Sequence, residues 1–136
     1  MVGIKAYGGY VPRRRLPRKV ILENVSWFNG ALKAYNKGER SMCNWDEDAL
    51  TMAVEASRDC LDKTRPDDIK AIYLASTTLP FTDRQNSGVL GTALHLGQNM
   101  MTMDILSSQR AATSCLVNAL NVLQGMGGSA LFATGA

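Results

Sequence analysis

Three groups of residues in this chain of 136 carry the means to do chemistry: a glutamine at a strand-to-helix turn, a run of arginines, and three thiols. The glutamine lies in Met101–Leu123, MTMDILSSQRAATSCLVNALNVL. A short apolar run there passes through two serines into Gln109, then into Arg110-Ala111-Ala112-Thr113-Ser114 and a strongly apolar stretch. The pattern predicts a strand over Met101–Leu106, an elbow at Ser107–Gln109 and a helix over Arg110–Gln124. At such an elbow, backbone N–H groups and the positive end of the helix dipole face whatever binds. A nucleophile there is activated, but a glutamine cannot be one. Cys115, six residues further on, is more than a turn away and is expected to pack in the core. Cys43, Cys60 and Cys115 form no C-x-x-C pair, and the only histidine is His95, so no metal site is expected. An odd cysteine count argues against a disulfide framework, so reduced thiols are expected. His95 falls at the end of a predicted helix and reads as a helix-end residue. The run RRRLPRK, Arg13–Lys19, is either a solvated loop or an anion site for nucleotide phosphates, with Arg14 and Arg18 as its contacts.

The elements that must position these residues follow from periodicity. Val2–Tyr7 reads as a strand and Gly8-Gly9 as a turn or bulge. Pro17 suits the first turn of a helix from Arg18 to Phe28, and Asn29–Cys43 reads as a loop with one helical turn. Asn44 with Glu47 three residues later marks a helix start. In that helix Leu50, Ala53, Val54 and Leu61 form the apolar face, and Thr51, Glu55, Arg58 and Asp62 the other. Cys60 sits at the apolar edge. Pro66-Asp67-Asp68 closes a linker before the strand Ile69–Ala75, and Ser76–Pro80 follows at its C-terminal end, where open α/β sheets place ligands. Arg84–Leu96 reads as a helix stopped by Gly97, with Gly88 and Gly91 admitting a close neighbour. The helix after the elbow is apolar over more than half its surface and is expected to be buried. Gly125–Gly128 is a loop, and Ala130–Ala133 opens a last strand. Alternating strands and helices predict a parallel or mixed sheet covered by helices.

Composition sets outer limits. Hydrophobic content of 46%, charged content of 20% and net charge +3 describe a globular chain with one core. No concentrated basic face suggests nucleic acid, no run approaches a membrane span, and no signal peptide opens the chain. A cytoplasmic protein is expected.

The segments VGIKAYGGYVPRRRL, NWDEDALTMAVEASRDCL, IKAIYLASTTLP, DRQNSGVLGTALHLG and SSQRAATSCL, in this order, resemble the N-terminal half of hydroxymethylglutaryl-CoA synthase-like proteins of the thiolase superfamily. The resemblance implies an α/β thiolase-like fold and a Claisen-type acyl transfer on acyl-CoA, with coenzyme A thioester as substrate and no further cofactor. In that family a cysteine at the elbow takes the acyl group, and a glutamate after the preceding strand is the general acid/base. Here Gln109 stands at the cysteine position and Thr77 at the glutamate position, so both steps lose their group. Ser108 and Arg110, flanking Gln109, are the remaining expected substrate contacts beside Arg14 and Arg18. The resemblance also implies that residues 1–136 are a fragment or one part of a larger assembly. Its partners would be another thiolase-like subunit, in a homo- or hetero-oligomer, and a zinc-ribbon/OB-fold protein. Three readings stay open: a thioester-binding subunit with a degenerate site, a decarboxylase or acyltransferase of altered mechanism, and a structural interaction subunit.

Overall fold

The computed structural model describes residues 2–62 and 69–135. The linker end Pro66–Asp68 and the final Ala136 lie outside the described residues. The chain divides into two compact units, Met1–Tyr10 with Asp48–Ala136, and Val11–Glu47.

In the larger unit, helix α2 (Ala49–Leu61) starts at a reciprocal capping box. Asp48 Oδ1 accepts the Thr51 N–H at 2.7 Å, and Thr51 Oγ1 accepts the Asp48 N–H at 2.7 Å. The start therefore lies four residues beyond Asn44. The expected partner bond, Asn44 N–H to Glu47 Oε2 at 2.7 Å, does form, but it closes a separate turn. Two overlapping box patterns compete, and the one abutting the apolar run becomes the helix. Leu50, Ala53 and Val54 are buried, while Thr51, Glu55, Arg58 and Asp62 are exposed, as the periodicity predicts.

Strand β3 (Ile69–Ala75) is the centre of a three-stranded sheet, between β4 (Met101–Ile105) and β5 (Ser129–Thr134), and parallel to both. Parallel neighbours require crossovers, which helices α3 (Asn86–Ala93) and α4 (Ala111–Met126) supply. A central parallel strand is covered on both faces, hence the near-continuous apolar run IKAIYLA. One face sends Ile72 and Leu74 into large aliphatics, Leu50, Val54, Leu90, Leu96 and Leu131. The other sends Ala71, Tyr73 and Ala75 against Ala111, Cys115 and Ala119 of α4. That one-per-turn stripe of small residues lets α4 lie close on the sheet.

Helix α3 is shorter than expected. The Leu96 N–H reaches the Gly91 carbonyl and the His95 N–H the Thr92 carbonyl, both at 3.0 Å, with His95 at φ 55°. This is a Schellman end with buried Leu96 as its apolar contact, and it closes two residues before Gly97. Gly91 does admit a close neighbour, since a Cβ there would lie 2.8 Å from Ile72 Cδ1, whereas a Cβ at Gly88 would make only an ordinary contact with Gln85 Cβ at 4.0 Å.

Two further expectations are corrected. Val2–Tyr7 is not a strand: no described strand lies alongside to form a ladder, and Ile4 and Tyr7 are exposed. Gly8 serves close approach instead, its backbone against Ala56 and Cys60 of α2, and the Gly9 N–H donates to Asp59 at 3.0 Å. Helix α4 is not buried all round. Only Ala111, Cys115 and Ala119 are buried, and Val117 is 54% exposed. Apolar content measures what a helix could bury, whereas the described residues cover one stripe.

In the smaller unit, β1 (Arg14–Pro17) pairs antiparallel with β2 (Glu39–Met42), followed and preceded by helix α1 (Arg18–Val25) and a 3₁₀ helix (Gly30–Tyr35). The basic run is thus a strand running into a helix, not a loop. Pro17 occupies the N-cap, and α1 stops three residues before Phe28.

Candidate functional site at the β3–β4 edge

The register pairs Ala75 with Ile105, so β3 and β4 end side by side. The Ser76 N–H donates to the Ile105 carbonyl at 3.2 Å and ties the two exits together. Thr77 leaves one strand here and Gln109 leaves the other, both exposed. The Ser76 hydroxyl accepts the Thr78 N–H at 3.1 Å, which turns the chain sharply around Thr77.

The elbow itself rests on Ser107 at φ 66°, a left-handed conformation for a residue with a side chain. Ser108 then holds the start of α4: its Oγ accepts the Arg110 N–H at 3.1 Å, and its carbonyl accepts the Ala111 N–H at 2.9 Å. No side chain caps the helix from its N-cap, Arg110. Thr77, Ser108, Gln109 and Arg110 are thus brought to one end of one sheet. Arg14 and Arg18 belong to the other unit, on β1 and at the first residue of α1, and both are exposed.

Cys115 is fully buried, and burial pushes its thiol up to about 11. It is a packed, protonated thiol on the sheet side of α4. Tyr73 shares that cluster, and its hydroxyl has no hydrogen-bond partner among the described residues. Burial first, then the neighbouring Cys115, raises its pKa. All three cysteines are thiols outside any disulfide. Among the described residues no cluster of His, Cys, Asp and Glu could hold a metal, and no helix is long and apolar enough to cross a membrane.

The pattern of residues gave no role to Asp104, which organises the neighbouring junction. Its carboxylate accepts the Asn86 N–H at 2.6 Å, the Asn86 side-chain amide at 3.0 Å and the Ser87 N–H at 2.8 Å. A residue of β4 therefore caps α3. Asn86, itself buried, holds Phe81 through both backbone groups, at 2.9 and 3.2 Å. Burial alone would raise the Asp104 pKa; the Ser87 and Asn86 side chains and both backbone N–H groups outweigh it and hold the carboxyl below its ordinary value. The Ser87 hydroxyl is buried outside normal hydrogen-bond geometry, so the backbone bonds are the firmer part of that pull. The available signal was a lone carboxylate inside an apolar strand, which needs a partner.

A cleft of about 360 Å³, lined by Lys70, Met101, Met126 and Gly128 among others, opens at the other end of the sheet, where β3 and β4 begin. It does not involve Gln109 or Thr77, and the candidate site rests on the strand exits instead.

The same arrangement of elements recurs in solved structures. The chain superposes on a variant of Xanthomonas campestris OleA with TM-score 0.81, covering 95% of this chain and 41% of that one at 16% identity. On β-ketoacyl-[acyl carrier protein] synthase III from Thermus thermophilus the TM-score is 0.73, covering 90% and 39% at 20% identity. The fold is thiolase-like. No protein-family model matches the chain. Among curated proteins it is 30% identical over 128 residues to hydroxymethylglutaryl-CoA synthase of Caldivirga maquilingensis, covering 90% of this chain and 36% of that protein. The corresponding enzyme of Archaeoglobus fulgidus is 31% identical over 119 residues, covering 84% and 34%. The chain is hydroxymethylglutaryl-CoA synthase-like in sequence and thiolase-like in fold, and it spans about a third of the length of these relatives.

Proposed function

We propose that this chain is part of a thiolase-superfamily protein that binds an acyl-CoA thioester at the β3–β4 edge without forming a covalent acyl-enzyme there. The observation that carries this reading is Gln109, exposed at the elbow, with the next thiol along α4 fully buried and raised to about 11. An amide can donate to a thioester carbonyl next to the helix dipole, but it offers no thiolate. Thr77 can hydrogen-bond, but it does not exchange a proton near neutral pH. Ser108 and Arg110 flank the bound group, and Arg14 and Arg18 are proposed contacts for the nucleotide phosphates. A second thiolase-like half, in the same or another polypeptide, completes the site, and a zinc-ribbon/OB-fold protein is the proposed accessory partner in the cytoplasm.

The test is calorimetric titration with coenzyme A, together with an intact mass spectrum before and after acetyl-CoA. Measurable binding with no adduct is the expected result. An acyl adduct on Cys115 overturns the reading. No affinity for coenzyme A moves the chain to the structural class. Binding with turnover but no adduct indicates an active enzyme of altered mechanism.

A further inference from the structure

We propose that one face of the β1–β2 ribbon is a binding site for a phosphate-type dianion, held between Arg14 and Arg40. The register pairs Arg14 with Met42 and Leu16 with Arg40. Residues opposite one another on antiparallel strands share a face, as do residues two apart along one strand. Arg14, Leu16, Arg40 and Met42 therefore stand together, while Arg15, Pro17, Glu39 and Ser41 take the other face. Diagonal neighbours on such a ribbon lie about 7–8 Å apart, so two long side chains can close on one group.

Several observations make this face a site. Both Arg14 and Arg40 are exposed, and among the described residues neither forms an ion pair. Like charges on one ribbon face repel, so the ribbon gains stability by sharing an anion. Arg15, the next residue in sequence, is engaged elsewhere: its Nη1 donates to the Pro12 and Arg14 carbonyls. Leu16, half-buried, and Met42, 43% exposed, give the two guanidinium groups an apolar floor. The surrounding unit reinforces the field. Val11–Glu47 holds eight of the 15 basic residues and four of the 12 acidic ones, net +4, against −1 for the remainder of the chain.

The ligand class follows from geometry. A guanidinium fork matches two oxygens of one acid group, and a single carboxylate satisfies only one fork. A phosphate monoester or a diphosphate presents enough oxygens for both. The source is either a free phosphate species or the phosphates of a nucleotide. The assignment of Arg14 to phosphate rests on the proposed function, and inorganic pyrophosphate, which carries no thioester or nucleoside, tests the ribbon separately from coenzyme A binding.

The experiment is calorimetric titration of the whole chain with inorganic pyrophosphate and, separately, with adenosine 3′,5′-bisphosphate at low ionic strength. Arg14→Gln and Arg40→Gln are each expected to weaken binding about fivefold or more, and Arg15→Gln less than about twofold. Arg14→Lys, which keeps the charge and loses the fork, should fall between. Circular dichroism of each variant confirms that the fold is retained. Equal losses from Arg14→Gln and Arg15→Gln indicate diffuse charge and overturn the proposal. So does an unchanged affinity in Arg40→Gln, or failure of both probes to bind the unaltered chain. If both probes bind alike with the same arginine dependence, the site recognises free phosphate. Tighter binding of the bisphosphate makes a nucleotide the source.

Discussion

Two helices begin at the same end of the β4–β3–β5 sheet, and their N-termini are finished in opposite ways. At α3 the first N–H groups, those of Asn86 and Ser87, are closed by the Asp104 carboxylate reaching across from β4. Buried Asn86 then pins the Phe81 loop. At α4 only Ser108, one turn upstream, answers the chain, through Oγ and its carbonyl, and no side chain caps the helix. One dipole end is neutralised by a fixed anion, and the other remains available to a ligand. A helix N-terminus is the same physical device in both places, and the side chain on the adjacent strand decides whether it is closed within the fold or left open.

The comparison breaks most readily at Asp104. Asp104→Ala removes three accepted hydrogen bonds and leaves two N–H groups without their partner, and should cost about 3 kcal/mol in urea denaturation. A cost below about 1 kcal/mol would mean that the carboxylate is not the cap it resembles.

A second test uses pH. The Asp104 pKa is lowered in the folded chain, so its contribution is fully present above the unfolded carboxyl value of about 4. It is lost as pH falls through the folded value. Stability of the native chain should therefore drop more steeply below about pH 4 than that of Asp104→Asn, when both are followed by thermal unfolding. Parallel curves would remove Asp104 from the account.

At the open junction the effects are smaller. Ser108→Ala deletes one exposed side-chain bond to the Arg110 N–H and should cost about 0.5–1 kcal/mol. A loss comparable to that of Asp104→Ala would show that this end is sealed too. The smallest change in stability and the sharpest chemical readout come from Gln109→Cys. A thiol placed there meets the unneutralised end of α4, so its pKa should be depressed and it should alkylate readily with iodoacetamide near neutral pH. Cys115 should stay unmodified until the chain unfolds, because it is fully buried and its thiol is raised to about 11. Equal alkylation rates at the two positions would contradict the contrast between an open elbow and a closed core.

The parts legible in the sequence were those set by local periodicity. The strand IKAIYLA is found at Ile69–Ala75 as predicted, because a central parallel strand must be apolar on both faces. The amphipathic face of α2, the elbow before α4, the packed thiol of Cys115 and the helix-end position of His95 were also readable from spacing. Helix limits moved where competing caps lay within a few residues of each other, Asn44 against Asp48 and Gly97 against His95.

What the sequence alone determined, then, is which segments alternate between strand and helix, and that the elbow holds an amide. Those properties depend on residue type and near neighbours. The tertiary structure alone decided which residues meet. It placed Asp104 under α3, set Thr77 and Gln109 at the exits of adjacent strands, and turned Arg14 toward the face of Arg40 instead of that of Arg15. The placements of Asp104 and Arg14 depend on strand register, and a shift of one residue would reverse both by sending each side chain to the opposite face.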